Sequence, residues 1–287
     1  MISDSTAQAT WAPADFPYQC LVDTIRTEAF RSAIRATVRA GDVVVDAGSG
    51  SGILAFFAAS AGASRVYAVE IDPVLASWLE RSARANGLAD IVHVICGDIS
   101  TVRLPTAVDV CICEMLDTGL LDETQVLALN QLRARRVLSE STRLIPERYE
   151  TFVELGAARL DCYGFRVLLP AHRWPQHADP ESGWLPMRFQ PFSPSTCVAS
   201  ADFRRVVEPR LYAQFSFVCA CDGEINAIRL SGCAHLTSRM SLGPTNSFNG
   251  DKIVPIDPLR VRHGQVVHVE VRGECGRGLD SLRVQLS

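Results

Sequence analysis

The stretch Val43-Val44-Val45-Asp46-Ala47-Gly48-Ser49-Gly50-Ser51-Gly52-Ile53 decides the architecture of this chain. Three β-branched residues in a row, without polar alternation, read as a strand buried on both faces, as at the centre of a parallel sheet. Three glycines spaced two apart follow, and residues 53–61 carry a helical run that Gly62 ends. A strand that hands over to a helix through glycine lets the backbone approach a ligand and aims a helix N-terminus at it. Asp46, Gly48, Gly50 and Gly52 are therefore candidate cofactor-binding residues. A dinucleotide fingerprint needs glycine at position 53, where the chain has isoleucine. The Gly-x-Gly-x-Gly spacing suits S-adenosyl-L-methionine (SAM) better than NAD, since no pyrophosphate has to be cradled.

Strand and helix alternate on both sides of this loop. Apolar residues at helical spacing predict a helix over 22–38, after a polar lead-in over 1–20. Further strands are expected at 65–71, 91–96 and 108–113, with a helix at 73–86 between Pro73 and Gly87. Glu70 ends the second strand, where an acidic side chain can take both ribose hydroxyls, and Asp98 and Ile99 follow the third, placed for the adenine. This alternation requires right-handed crossovers and a mostly parallel, Rossmann-like α/β sheet. Past Pro146 the rhythm changes to short β-like runs, and Asp222-Gly223 carries a hairpin signal. We therefore expect residues 1–146 to form the SAM-binding domain with its N-terminal helices. Residues 147–287 should form an all-β, barrel-like substrate domain with an excursion at about 170–194 holding Trp174 and Trp184.

Composition narrows the class of function. The 287 residues are 47% apolar and 21% charged, which fits a globular chain with a sizeable core. The net charge of −4 comes with no basic stripe, so a nucleic-acid partner is not expected. No apolar run reaches the length of a membrane span, and the N-terminus lacks the pattern of a secretory signal. A cytoplasmic protein is expected. Ten cysteines and six histidines complete no zinc pattern, so free thiols and no metal are expected. Lys252 is the only lysine, and the excess of arginine reads as codon bias from a GC-rich bacterial genome.

Residues 43–52, 62–70 and 108–114 resemble the class I SAM-dependent methyltransferases and, more narrowly, the protein arginine methyltransferases. Asp23-Thr24-Ile25-Arg26-Thr27 is similar to the Asp-x-Val-Arg-Thr of that family, whose arginine binds the methionine carboxylate of SAM. The resemblance carries that role to Arg26. A β-barrel follows the SAM domain in the family and walls the substrate cleft.

Glu114 leaves a strand at its carboxyl end, where open α/β sheets place ligands, and Glu123 closes a segment similar to the double-glutamate loop of the family. The chemistry favours such a pair. A guanidinium is planar, multiply donating and protonated at neutral pH, so two carboxylates can grip its fork and orient one nitrogen toward a methyl group. Glu114 and Glu123 are the candidate catalytic residues, and Asp117 and Asp122 between them read as surface charge.

Two features depart from the family. Its Thr-His-Trp loop corresponds to Thr245-Asn246-Ser247, and the tryptophan after the first loop glutamate is Met115. Asp23, Met115 and Asn246 are therefore candidates for the substrate pocket, with Asn246 able to hydrogen-bond Asp23. The acceptor reads as the guanidino group of arginine or an arginine-derived small molecule, alternatively as a protein or peptide arginine, or as a nitrogen or oxygen of another small molecule. A SAM-binding scaffold without turnover is the non-catalytic alternative. The 170–194 excursion reads either as a short dimerisation arm, giving a homodimer, or as a loop over its own core.

Overall fold

The computed structural model describes residues 15–104, 107–179 and 181–287. Its first sheet consists of five parallel strands, β1 (Val43–Ala47), β2 (Arg65–Glu70), β3 (Val92–Cys96), β4 (Val110–Cys113) and β5 (Arg143–Ile145), in the order β3-β2-β1-β4-β5. Strand order reverses at β1, so β1 and β4 lie side by side while their connections run to opposite directions along the sheet. Ligands of open α/β sheets bind at the carboxyl ends of strands flanking such a reversal. The apolar run that marked β1 is fully enclosed: Val44, Val45 and Ala47 are 0% exposed.

Helices α1 (Asp15–Val22), α2 (Thr24–Thr37), α3 (Ile53–Ser60), α4 (Pro73–Ala85) and α5 (Gln125–Ala134) accompany this sheet. The helix expected over 22–38 is α2, capped at its N-terminus by Asp23, and a second short helix, α1, precedes it. Part of the expected lead-in is thus helical, and residues 1–14 lie outside the described residues. Local chemistry explains α4: Asp72 accepts hydrogen bonds from Val74 N (2.8 Å) and Leu75 N (3.0 Å), and Pro73 fills the first turn. No helix among the described residues is long and apolar enough to cross a membrane.

The parallel sheet ends at Ile145 and antiparallel pairing begins at Arg148, on either side of Pro146. The strands that follow are β6 (Arg148–Ala158), β7 (Asp161–Cys162), β8 (Phe165–Arg166), β9 (Ala171–Arg173), β10 (Phe189–Pro191), β11 (Thr196–Asp202), β12 (Arg210–Val218), β13 (Gly223–Thr237), β14 (Met240–Leu242), β15 (Asp251–Val261), β16 (Val266–Glu274) and β17 (Arg283–Leu286). The larger sheet runs β10-β6-β13-β15-β9, with β11 on β6 and β14 on β13, and the smaller one runs β12-β16-β17. The fold is therefore a Rossmann-like parallel sheet followed by barrel-like antiparallel sheets.

Asp222-Gly223 does not close a hairpin. It joins β12 to β13, which belong to different sheets, and Asp222 Oδ1 instead accepts His263 N (2.6 Å). The 170–194 excursion returns to its own barrel: β9 pairs with β15 and β10 with β6. Upstream of it, β7 and β8 form a separate hairpin.

Two large apolar clusters, with a small third one around Ala227 and Ile253, hold these layers together. One lies under the helices and continues into the antiparallel strands through Tyr149, Phe203, Leu236 and Phe248. The other fills the antiparallel part around Leu155, Ile228 and Val269. Tyr149 is 0% exposed, and its hydroxyl donates to Asn249 Oδ1 (2.7 Å). A Cβ on Gly232 of β13 would overlap that hydroxyl, so a small residue is required there. Gly232→Ala is expected to lower stability by about 1–3 kcal/mol through overpacking, read as a lower urea midpoint at unchanged slope.

Candidate functional site

Every residue assigned to the cofactor from the β strands lies at a carboxyl end of the parallel sheet. After β1, Gly48 and Gly52 stand at φ +75° and +81°, a left-handed region costly for other residues. Space is as restrictive as conformation. A Cβ on Gly52 would come within 2.7 Å of Leu79, and one on Gly48 within 2.9 Å of Met115. Glu70, at the end of β2, is 6% exposed and accepts Gly50 N (2.7 Å) through Oε2 and Asp72 N (2.9 Å) through Oε1. These bonds fix the carboxylate and leave lone pairs for two ligand hydroxyls. After β3, Ile99 is buried, while Asp98 is exposed and accepts Ser100 N (2.8 Å). The arrangement fits SAM: a cradle that side chains would fill, and a fixed acid beside it.

Arg26 and Asp23 bring the N-terminal helices to the same place. Arg26 is 5% exposed, donates to the Cys20 carbonyl (3.2 Å) and forms an ion pair with Glu114. Asp23 accepts Arg26 N (3.2 Å) through one oxygen. Through the other it accepts Thr245 Oγ1 (2.6 Å), Ser247 N (2.9 Å) and Ser247 Oγ (2.8 Å) from the barrel. Burial alone would raise the Asp23 carboxyl, and these hydrogen bonds hold it below its ordinary value.

Of the expected pocket residues, Asn246 has a partner other than Asp23. Asn246 does not bond Asp23; its Oδ1 accepts Gln176 N (3.1 Å) from the excursion, and Ser247 takes the partnership because its hydroxyl and N–H point the same way. Met115 packs against Gly48, so it backs the cofactor loop.

The double-glutamate segment is a tightly held loop. Its turn is closed by Leu120 N to the Asp117 carbonyl (3.0 Å), with Gly119 at φ +89° and Leu120 at φ +58°. Leu120 packs into the cluster of the parallel sheet, and Leu121 into that of the barrel. Thr118 Oγ1 donates to the Gly250 carbonyl (2.7 Å). Asp117 accepts Leu121 N (3.2 Å) and Glu123 N (3.0 Å), and with Asp122 it receives the Nζ of Lys252, whose bond to Asp122 is 2.6 Å. The two aspartates are therefore not free surface charges, and Lys252, at 1% exposed, is not mere compositional residue.

Glu114 and Glu123 come together at this loop, and their surroundings differ. Glu114 has Arg26 as its partner. Among the described residues nothing donates to the Glu123 carboxylate, and burial together with the negative charge of Glu114 pushes Glu123 up to about 7. Sequence reasoning missed Thr245, Ser247 and Lys252. Only the sole-lysine count hinted at the last.

Asp46 is the other carboxyl out of its ordinary range. It is 1% exposed, its Oδ2 has no partner among the described residues, and burial pushes it up to about 7. A carboxyl whose folded pKa is raised binds more protons folded than unfolded, so its contribution weakens as pH rises from about 4 to about 7. Asp46→Asn removes that titration. Its stability relative to the wild type is expected to improve over this window by up to about 4 kcal/mol, and urea denaturation at pH 4.5 and pH 8 measures the difference. A difference independent of pH would contradict the assignment.

Comparison with known proteins agrees with this geometry. Residues 24–133 match the TRM5/TYW2 methyltransferase domain. An uncharacterized protein of Methanothermobacter thermautotrophicus is 32% identical over 266 residues, covering 93% of this chain and 95% of that protein. The protein arginine N-methyltransferase PRMT10 of Oryza sativa subsp. japonica is 45% identical over 108 residues, covering 37% of this chain and 28% of the rice protein. Even the match to an uncharacterized protein of Methanocaldococcus jannaschii spans only 54% of its length. The Trypanosoma brucei PRMT1 enzyme-prozyme complex with AdoHcy superposes with a TM-score of 0.74 at 19% identity, over 94% of this chain and 91% of that one. The order of the parallel strands, the glycine loop after β1 and the methyltransferase-domain match over residues 24–133 converge: this chain has a class I SAM-dependent methyltransferase fold that structurally resembles the protein arginine methyltransferases.

Proposed function

We propose that the chain transfers a methyl group from SAM to a guanidino nitrogen, and that the acceptor is an arginine side chain of a polypeptide. The observation that carries this reading is the pair Glu114 and Glu123 on the loop after β4, one paired with Arg26 and the other unpaired among the described residues. Residues 1–146 would hold the cofactor and 147–287 would wall the acceptor cleft, meeting where Asp23 bonds Thr245 and Ser247.

In this reading Asp46, Gly48, Gly50 and Gly52 form the cofactor loop, Glu70 takes the ribose, Asp98 and Ile99 take the adenine, and Arg26 takes the amino-acid carboxylate. Bound there, SAM supplies an electrophilic methyl group. Glu114 and Glu123 grip the acceptor fork, concentrate its positive charge away from the attacking nitrogen and hold that nitrogen in line. A carboxylate near neutrality is matched to taking the proton that the methylated nitrogen gives up, which suits Glu123.

The protein acceptor follows the names of the matched relatives, among them rice PRMT10. One observation favours a small guanidino compound instead: positions 246 and 247 hold asparagine and serine, so neither the histidine nor the tryptophan of the family loop closes this pocket. Incubation with SAM and a panel of an Arg-Gly peptide, histones, free arginine and guanidino metabolites, followed by mass spectrometry, separates the two. Peptide methylation is expected, and methylation of free arginine alone would select the second reading.

Glu123→Gln is the sharper mechanistic variant, because removing an unpaired carboxylate strands no partner. Its turnover is expected to fall by about 100-fold or more while SAM affinity by calorimetry stays unchanged. Full turnover would overturn the guanidino mechanism.

The exposed apolar side chains around the excursion support a homodimer: Phe165, Leu168, Leu169, Trp184 and Leu185 are each more than half exposed. Light scattering is expected to give a dimer for the wild type and a monomer for Leu168→Asp with Trp184→Asp. A monomeric wild type would remove this reading.

A further inference from the structure

The only lysine of the chain lies beneath the double-glutamate loop. Lys252 stands on β15, paired in register with His172 of β9. Its Nζ donates to both Asp117 and Asp122, and Asp117 in turn accepts the N–H of Glu123. The ten residues 114–123 carry four carboxylates. Arg26 pairs with Glu114, Lys252 with the two aspartates, and Glu123 is left unpaired among the described residues.

We propose that Lys252 is the positioning residue of Glu123: by neutralising and holding Asp117 and Asp122, it keeps the Glu123 carboxylate able to ionise near neutral pH and so to grip the acceptor. The proposal rests on the guanidino reading above. It assigns to this chain a specific buried cation that reaches the loop from β15.

The charges facing Glu123 support it from every side. Glu114 after β4, and Asp117 and Asp122 on the loop, all push its proton affinity up, as burial does; Lys252 from β15 is the charge that brings it down. His172 covers Lys252 from β9, and burial together with Lys252 lowers its pKa, so it adds no second cation at neutral pH. The adjacent Cys113 thiol is buried and raised well above its ordinary value, hence neutral. Without Lys252, three negative groups would surround Glu123 with no opposing lysine, and it would hold its proton at neutral pH. A protonated carboxyl cannot act as an ionic partner for a guanidinium.

The test reads Glu123 directly as well as through activity. In protein carrying glutamate labelled with 13C at the side-chain carboxyl, the Glu123 resonance is the one lost in Glu123→Gln, and its titration gives a midpoint without any acceptor. Lys252→Met is expected to raise that midpoint by about one pH unit or more, a tenfold change in proton affinity. The acidic limb of the kcat/KM profile should move with it, and Lys252→Arg should restore both. A folded Lys252→Met with the wild-type midpoint overturns the proposal.

Should Lys252→Met fail to fold, Asp122→Asn carries the test, because removing a negative neighbour is expected to lower the midpoint. No change, or a rise, overturns the proposal. A midpoint that responds as expected in a protein that methylates no guanidino compound supports the Lys252 assignment and overturns the acceptor reading, so the two fail separately.

Discussion

Four carboxylates within residues 114–123 cannot share a half-buried loop unless cations reach them, and the rest of the structure is arranged around that requirement. Coulomb repulsion between buried like charges costs more than side-chain hydrogen bonds return. The cations come from opposite ends of the chain: Arg26 from α2 and Lys252 from β15. Each sits deep enough that losing its partner would leave an uncompensated charge, a loss of about 3–5 kcal/mol for a buried pair. The loop is thereby tied to the N-terminal helices on one side and to the barrel on the other.

Apolar burial reinforces the same tie. Leu120 and Leu121 are consecutive, yet one enters the core of the parallel sheet and the other the core of the barrel. A loop that fed only one core could follow either half independently. This one fixes the spacing between the sheet that carries the glycine loop and the strands that face it. Thr118 on Gly250 and Asp23 on Ser247 add polar stitches along the same seam.

How much of this was legible depended on the range of the cause. The strand at 43–45, the glycine loop and Glu70 are set by neighbours in sequence, and each stands where its pattern placed it. Helix α1 was hidden because Pro17 and polar residues mask a short amphipathic turn that tertiary packing completes. Asp222-Gly223 has the composition of a hairpin turn, but which strands pair is decided by the barrel. Lys252 was the least legible. Its partners are 135 and 130 residues away, and a single lysine in an arginine-rich chain looks like codon usage until its burial is known. The aspartates at 117 and 122 failed for the same reason, since an acidic loop residue announces a partner only through the fold.

Two glutamates of identical chemistry end in different electrostatic states because of what surrounds them. Glu114 faces a guanidinium that is itself oriented by Phe30, whose ring lies 5.5 Å away, and by the Cys20 carbonyl. Glu123 faces three other carboxylates and one lysine, and is pushed up to about 7. Environments that separate two like groups in this way assign them different tasks. Glu114, already committed to Arg26, ties the end of the parallel sheet to the N-terminal helices. Glu123 is suited to exchanging a proton near neutral pH. The asymmetry arises from which cation each carboxylate was given.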